Sequence, residues 1–407
     1  MNDDLASLGG PRAAAGEPYY DPYNLEIDDN PYPVWKRLRD EAPLYYNEKY
    51  DFYALSRFDD VKRALMDSVT YCSGHGTVLE YIDVDGHLPA GMFIFEDPPL
   101  HDVHRGLVSR VFTPKRMAAL EPQVRDLCTR LLDQYLGEAG FDFIVDLAQV
   151  VPMRVIGMLL GIPESDQEAI RDAGQERHHL TEGRPLETID PSETAAVFVE
   201  YIEWRESHPS DDLMTQLLTI EFEDETGSTR RLNRGEVLTY TSLLASAGNE
   251  TTRRLLGWTG QVLADHTSQR REIAQDRSLV PQAIEELFRF ETPSPVQARV
   301  TTADVEHYGQ TIPSRSKVIL LNGSANRDER HFPDPDSFDI HRKIDQHLSL
   351  GYGLHFCLGA ALARLEGRVV LDEVVRRWTD WEVDYDGAEM DHTSTTRGWM
   401  RLPVRTS

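Results

Sequence analysis

The most informative stretch of this chain reads Leu348-Ser349-Leu350-Gly351-Tyr352-Gly353-Leu354-His355-Phe356-Cys357-Leu358-Gly359. Its three glycines allow backbone conformations and close approaches that side chains would block. The residues after it, 360–366, are mostly strong helix formers, so Cys357 is predicted to lie at a helix N-terminus. The helix dipole there favours a thiolate, which is the form that binds metals. A lone cysteine is more often a small buried apolar residue, but the glycine spacing and His355 favour a metal ligand here.

This stretch resembles the haem-binding loop of cytochrome P450 enzymes, written F-G-x-G-x-H-x-C-x-G. The chain matches the pattern at its glycines, histidine and cysteine, which are Gly351, Gly353, His355, Cys357 and Gly359. It departs at Leu350, where the family usually has phenylalanine. The departure changes packing near the sulfur, which is expected to affect the redox potential. The resemblance implies haem b with Cys357 as the axial iron ligand, Gly351 and Gly359 against the cofactor, and His355 on a propionate.

Composition limits the classes of function and partner. The chain has 407 residues, 40% hydrophobic, with 42 basic and 69 acidic residues and a net charge of −27. Such acidity disfavours nucleic acid or an anionic membrane as the main partner. Its three cysteines are scattered and form no disulfide framework, which indicates a reducing compartment.

The sequence also predicts how the chain is organised. The first twenty residues lack the apolar core of a signal peptide, and no later run approaches the ~18 apolar residues of a spanning helix. We therefore expect a cytoplasmic monomer without a membrane segment. Residues 1–20 are expected to be disordered, and residues 21–407 are expected to form a single domain.

A long helix is predicted from Asn233 to about Asp265, which at 1.5 Å per residue is about 48 Å. Asn233 and Glu236 form a capping-box pattern at its start. In its middle, small residues at 247–248 would admit a flat ligand, and Thr251 can bond the carbonyl of Ala247 and bend the helix. Taken alone, residues 247–251 would be an ordinary packing site with a surface glutamate.

Residues 247–252 also resemble the family signature A-G-x-(D/E)-T-(T/S). The resemblance places Ala247 and Gly248 against the haem and gives Glu250 and Thr251 catalytic roles in proton delivery to bound dioxygen. It thereby favours dioxygen as the oxidant.

Further motifs match the family in order. His101 and Arg105 lie four apart on one helix face and match a propionate-binding P-P-x-H-x-x-x-R pattern. By resemblance Arg299 holds a propionate as well. The E-x-x-R pair Glu286 and Arg289 would alone be a solvated ion pair. In the family it is buried and completed by a second arginine, here Arg342.

Several segments are assigned from local pattern. Residues 43–53 read as two short strands around a polar turn, and residues 117–220 as helices broken at 161–163 and 183–185. Residues 73–97 read as an irregular apolar loop, either a structural cover or a ligand lid.

Candidate substrate contacts are apolar apart from one glutamine, and His178 and His179 could add polar contacts. The candidates are Val78, Leu79, Met92, Phe93, Leu244, Val296, Gln297 and Trp399.

The resemblance runs from about residue 30 to residue 404. It implies a mainly α fold with a small β-rich lobe, and haem between the long central helix and the cysteine loop. The implied reaction inserts one atom of O2 into a lipophilic substrate such as a steroid, terpenoid, polyketide or aromatic. Two alternatives stay open. One is a haem sensor or carrier without turnover, and the other is the same fold catalysing oxidative coupling or dehydration.

No reductase domain is visible in the sequence. We therefore expect electrons from NAD(P)H to arrive through a separate ferredoxin or flavodoxin. The predicted docking face is a basic patch near the cysteine, formed by Arg105, Arg110, Lys115, Arg116, Arg364 and Arg368.

Overall fold

The computed structural model describes residues 16–82, 91–164, 167 and 198–407. Predictions for residues 1–15, for His178 and His179, and for a helix break at 183–185 lie outside these residues. The final residues of the N-terminal segment are within them, and Tyr20 is buried.

Helices make up about half of the described chain, and the sheets are small, in agreement with the predicted mainly α fold. The α-helices span Leu25–Asp29, Tyr32–Glu41, Phe58–Met66, Leu100–Ser109, Pro114–Asp133, Val150–Leu160, Val199–Ser207, Leu213–Thr219, Arg234–Asp265, Thr267–Gln275, Val280–Phe290, Asn322–Ala325 and Ala360–Arg377. A π-helix spans Phe143–Ala148, and 3-10 turns span Leu79–Tyr81, Phe93–Phe95, Arg277–Leu279 and Gly353–His355.

The central helix, Arg234–Asp265, has the bounds that the sequence predicted. Its capping box is formed, because the Asn233 side chain accepts from the Glu236 backbone and the Glu236 carboxylate accepts from the Asn233 N–H. Most of the helix is buried on both sides of its middle, whereas residues 245–251 are partly exposed. The middle of this buried helix therefore borders an open space.

The central helix is crossed closely by the π-helix. A Cβ on Gly260 would lie 2.8 Å from the Phe143 ring, and one on Gly257 would lie 2.6 Å from Ile144. Only glycine permits this approach. The helix Ala360–Arg377, which follows the cysteine loop, packs on the central helix and on Pro114–Asp133. One large apolar cluster joins all these elements.

The β-rich lobe is built on a five-stranded sheet. Its order is Leu44–Asn47, Phe52–Leu55, Lys317–Leu320, Gln297–Thr301 and Tyr71–Cys72, antiparallel except between the second and third strands. The first two strands are the pair predicted at 43–53. In the register of the sheet, Arg299 lies opposite Val318.

Smaller sheets complete the described β-structure. Gly140–Asp142, Trp381–Val383 and Pro403–Thr406 form one sheet, and Glu221–Glu223 with Thr229–Arg231 and Val305–His307 with Gln310–Ile312 form two hairpins. Glu389–His392 and Arg397–Arg401 pair as the C-terminal hairpin, with residues 393–396 as its turn.

One helical stretch among the described residues, Phe143–Leu160, is long and apolar enough to cross a membrane by length and composition. It is not a continuous apolar run, because Asp146 and Arg154 interrupt it. Most of it, 61%, is buried inside the protein. Burial of this kind is typical of a core helix.

Candidate active site

The cysteine loop, residues 348–359, is shaped by two glycines in the left-handed region. Gly351 has φ 67° and Gly353 has φ 68°, and a Cβ on Gly353 would lie 2.8 Å from the Leu65 carbonyl oxygen. The Cys357 N–H donates to the Leu350 carbonyl at 2.8 Å. This bond fixes the cysteine beside the residue at which the chain departs from the family pattern.

The protonation of Cys357 corrects one sequence argument. Burial raises the pKa of the thiol, although a hydrogen bond from the Gly359 backbone and the charges of Arg105 and Arg364 oppose the rise. The helix N-terminus favours the thiolate, but desolvation of the buried sulfur has the larger effect. A bound metal cation would supply the missing charge and deprotonate the ligating thiol.

A wide cavity separates Cys357 from the central helix. It holds about 1200 Å³ of space between its lining atoms, part of it continuous with solvent. The predicted residues that line it are Val78, Phe93, Arg105, Leu244, Ala247, Gly248, Thr251, Val296, Gln297, Arg299, His355, Cys357 and Gly359. The helix wall carries the predicted side-chain bond, in which the Thr251 hydroxyl donates to the Ala247 carbonyl at 2.9 Å.

Three predicted substrate contacts do not line this cavity. Trp399 lies on a strand of the C-terminal hairpin and packs against Trp258, so the hairpin reaches the cavity through its turn residue Thr395 instead. Met92 precedes the 3-10 turn whose members Phe93 and Ile94 line the cavity.

Leu79 lines a smaller neighbouring pocket instead. That pocket shares five lining residues with the main cavity, which are Thr77, Val78, Val296, Gln297 and Thr395. Gly351, His101 and Glu250 are also outside the cavity lining.

Several lining residues were missed by the sequence argument. They are Thr77, Ile94, Phe112, Ile156, Leu243, Thr252, Leu358, Leu362, Ala363 and Thr395. Leu243 and Thr252 adjoin predicted residues, so helix periodicity could have found them. Phe112 lies between the helices Leu100–Ser109 and Pro114–Asp133, and Ile156 lies in the helix Val150–Leu160. Neither has a local signal for a cavity, and only the tertiary fold brings them here.

Arg299 and His355 line one end of the cavity, and neither has a carboxylate partner among the described residues. Arg299 is 3% exposed and donates to the Ala298 carbonyl at 2.7 Å and the Gln297 side chain at 3.3 Å. Within the described chain it has no carboxylate partner. Desolvation lowers its pKa to about 10, against the opposing charge of Asp97.

Two histidines stand beside Arg299. His101 and His355 pack edge to face at 4.5 Å, and the Nε2 atom of each has no hydrogen-bond partner among the described residues, whereas His101 Nδ1 lies 3.0 Å from Asp102 Oδ1. Burial and the charge of Arg299 lower the pKa of His355 to about 3, so its ring is neutral. Arg105 lines the same end and donates to the Phe356 carbonyl.

These features fit haem. Buried polar groups are normally satisfied, so Arg299 and the unpartnered imidazole nitrogens call for further hydrogen-bond partners, which the two carboxylates of haem would supply. Among the described residues, no group of three or more His, Cys, Asp or Glu side chains could hold a metal ion. A metal bound at Cys357 must therefore bring its other ligands with it, as a porphyrin does.

The predicted structural triad is formed and buried. Arg289 donates to Glu286 through Nε at 2.7 Å and Nη2 at 2.6 Å, and Arg342 Nε donates at 3.1 Å. Arg289 also donates to the Asn326 carbonyl at 3.0 Å. The Asn326 side chain accepts from Leu348 N–H at 2.8 Å, which links the triad to the start of the cysteine loop.

Known proteins agree with this geometry. A family model described as Cytochrome P450 matches residues 259–406. The chain is 38% identical over 393 residues to putative cytochrome P450 123 of Mycobacterium tuberculosis, covering 94% of this chain and 96% of that protein. It is 33% identical over 397 residues to vitamin D(3) 25-hydroxylase of Pseudonocardia autotrophica, covering 96% and 97%.

A solved structure agrees as well. Cytochrome P450 CYP109Q5 from Chondromyces apiculatus superposes with a TM-score of 0.83 at 34% identity, covering 95% of this chain and 98% of that one. This chain therefore belongs to the cytochrome P450 family of monooxygenases.

Proposed function

We propose that this protein inserts one oxygen atom from O2 into a lipophilic small molecule bound between the central helix and the cysteine loop. The observation that carries the proposal is Cys357 facing Ala247, Gly248 and Thr251 across one cavity with unpaired buried donors at its end. When bound, haem with a thiolate ligand supplies the activation of dioxygen. Cys357 would ligate the iron, and Arg105, Arg299, His101 and His355 would hold the propionates.

The substrate class follows from the lining of the cavity. Most of the wall surface is apolar, with contributions from Val78, Phe93, Ile156 and Leu244, and Gln297 is one of the polar residues in the lining. One polar neighbour is already engaged, because the Ser294 hydroxyl donates to the Thr395 carbonyl at 3.0 Å. A large apolar molecule with few polar groups fits best, and the name of the vitamin D(3) 25-hydroxylase relative supports a steroid-like class.

Thr251 and Glu250 are proposed to deliver protons. The Thr251 hydroxyl hydrogen is directed to the Ala247 carbonyl, which leaves its oxygen lone pairs free to accept a hydrogen bond on the cavity side. Glu250 lies one residue away, outside the cavity lining, and would take protons from solvent and pass them towards Thr251. Replacing Glu250 with glutamine should divert electrons from product to hydrogen peroxide.

Electrons are proposed to arrive at the face around Arg110, Lys115, Arg116 and Arg368, which are exposed. Two predicted members of this face are engaged elsewhere. Arg364 pairs with Glu285 at 2.6 Å, and Arg105 is half-buried. The exposed members suit an acidic ferredoxin or flavodoxin, supplied ultimately by NAD(P)H.

Charge reversal tests this face. Arg110→Glu should slow reduction by a ferredoxin and weaken the dependence of the rate on salt. Arg405→Glu makes the same charge change at an exposed arginine of the C-terminal strand. It should leave the reduction rate and its dependence on salt unchanged. Equal rates in the two variants would contradict the docking proposal.

The overall function is tested in two steps. Candidate lipophilic compounds are screened for displacement of the sixth iron ligand, read from the absorption spectrum. Compounds that bind are then incubated with the protein, NADPH, a ferredoxin and its reductase. An oxygenated product that carries one atom from labelled O2 supports the proposal, whereas binding without any turnover of the bound compounds would contradict it.

A further inference from the structure

A cluster of two buried arginines, one buried carboxylate and one partly exposed carboxylate lies between the central helix and the C-terminal hairpin. Glu250, Arg253 and Arg254 come from the helix, and Asp391 comes from the hairpin strand Glu389–His392. The side chains of Arg254 and Asp391 are 0% and 2% exposed. None of these residues except Glu250 has a role in the function proposed above.

The two carboxylates share the same donors. Arg253 Nη2 lies 3.0 Å from Glu250 Oε1 and 2.7 Å from Asp391 Oδ2. Arg254 Nη2 contacts the same two oxygen atoms. Glu250 and Asp391 therefore compete for two guanidinium groups, and four unit charges cancel within the cluster.

The two carboxylates differ in their exposure to solvent. Asp391 is almost fully buried, whereas the Glu250 side chain is 34% exposed. Burial alone would raise the pKa of Glu250, but the charges of Arg254 and Arg253 outweigh it and lower that pKa, and the charge of Asp391 opposes them. Glu250 is thus the carboxylate that can move away from the arginines towards solvent. The negative charge of Asp391 weakens the electrostatic attraction between the arginines and Glu250.

The hairpin also reaches Glu250 through its turn. The Thr396 hydroxyl lies 3.5 Å from Glu250 Oε1, and the neighbouring Thr395 lines the cavity. Arg254 donates to the Gly398 and Trp399 carbonyls at 3.2 and 3.3 Å. The same hairpin therefore lines the cavity and contacts both Glu250 and Arg254, one of the arginines that hold it.

We propose that Asp391, together with Arg253 and Arg254, is a positioning residue that sets how firmly Glu250 is held and so how readily it delivers protons. This proposal rests on the proton-delivery role of Glu250 proposed above. It makes the C-terminal hairpin, and not the central helix alone, responsible for the efficiency of oxygen insertion.

Two variants should shift proton delivery in opposite directions. Asp391→Asn removes the competing carboxylate, so both arginines hold Glu250 more tightly and its pKa falls. Arg253→Gln removes one holding charge, so its pKa rises. Each unit of change in that pKa alters the protonated fraction of Glu250 about tenfold at neutral pH.

The experiment compares holoenzymes with a substrate found by the spectral screen. It measures product formed per NADPH consumed, and the change of this ratio in deuterated water. Asp391→Asn should lower the ratio severalfold and enlarge the isotope effect, and Arg253→Gln should do the reverse. Glu291→Gln, which breaks the hairpin's ion pair with Arg397, is the matched control and should lower stability while leaving the ratio unchanged.

A second measurement needs no turnover. The loss of unfolding midpoint caused by Glu250→Gln should be larger in the Asp391→Asn background than in the parent, because two arginines are then left without a carboxylate. If Glu250→Gln lowered the unfolding midpoint equally in both backgrounds, the proposal that Glu250 and Asp391 share the two arginines would be overturned. A fall of the product ratio in both Asp391→Asn and Arg253→Gln would reduce the cluster to a structural role.

The two levels of the proposal fail in different ways. If Glu250→Gln leaves the product ratio and isotope effect unchanged, the proton-delivery role of Glu250 is overturned. If Glu250→Gln lowers the ratio but Asp391→Asn and Arg253→Gln leave it at the parent value, only the positioning role of Asp391 fails.

Discussion

Replacing Glu286 with glutamine should strongly destabilise the protein. The carboxylate is fully buried and accepts from Arg289 twice, from Arg342, and from the Asp339 N–H at 3.0 Å. The variant leaves two arginines without their counter-charge. Removing one partner of a buried ion pair costs about 3–5 kcal/mol, which is a large part of the 5–15 kcal/mol typical of a folded protein.

The effect should reach the cofactor site. Arg289 holds the Asn326 carbonyl, and the Asn326 side chain holds Leu348 N–H at the start of the cysteine loop. A loosened triad should therefore release haem at lower denaturant than in the parent. The assay is urea unfolding followed both by tryptophan fluorescence and by haem absorbance.

The matched control is Glu41→Gln, which makes the same substitution in an exposed helical pair with Arg37. An exposed pair of this kind contributes little, so this variant should unfold with the parent. If Glu286→Gln lost no more free energy of unfolding than Glu41→Gln, the structural role of the triad would be refuted.

Three further predictions concern single residues near the site. Arg299→Gln should stabilise the haem-free protein by about 3 kcal/mol, the free energy that corresponds to the lowering of the arginine pKa to about 10, yet weaken haem retention; loss of stability in the haem-free form would contradict this. Glu285 has its pKa lowered to about 2, since the hydrogen bonds and charges of Arg364 and His347 outweigh burial. Its ionised form thus adds stability above about pH 4.5, and the cost of Glu285→Gln, about 3 kcal/mol at pH 7, should disappear as the pH falls towards 2 in denaturant titrations. Leu350→Phe enlarges a buried residue whose carbonyl accepts from Cys357 N–H, so it should change the haem reduction potential while keeping thiolate ligation; an unchanged potential would reduce the departure to packing.

Local sequence signals predicted the elements that carry the site. The central helix begins and ends where its capping box and length indicate, because helix caps depend on residues within one turn. The conformation of the cysteine loop was also predicted from local signals, because Gly351 and Gly353 adopt the left-handed backbone conformation that glycine permits. The helix after residue 150 ends at Gly161 with φ 74°, as the predicted break at 161–163 requires.

Contacts between distant residues could not be predicted in this way. Asp391 meets Arg254 from 137 positions away, and Arg364 is neutralised by Glu285 from 79 positions away. Thr395 replaces Trp399 at the cavity because strand alternation and the hairpin turn, not proximity in sequence, determine which side chain reaches it. Such pairings arise from packing, and a single sequence carries no local trace of them.

The central claim, that Cys357 ligates haem iron as a thiolate, is tested most directly by the carbon monoxide spectrum of the reduced holoprotein. The parent should show the strongly red-shifted absorption band by which thiolate-ligated haem is recognised, and Cys357→His should bind haem without that band. A red-shifted band that survives in Cys357→His, or a parent protein that binds haem without ever showing it, would contradict the account.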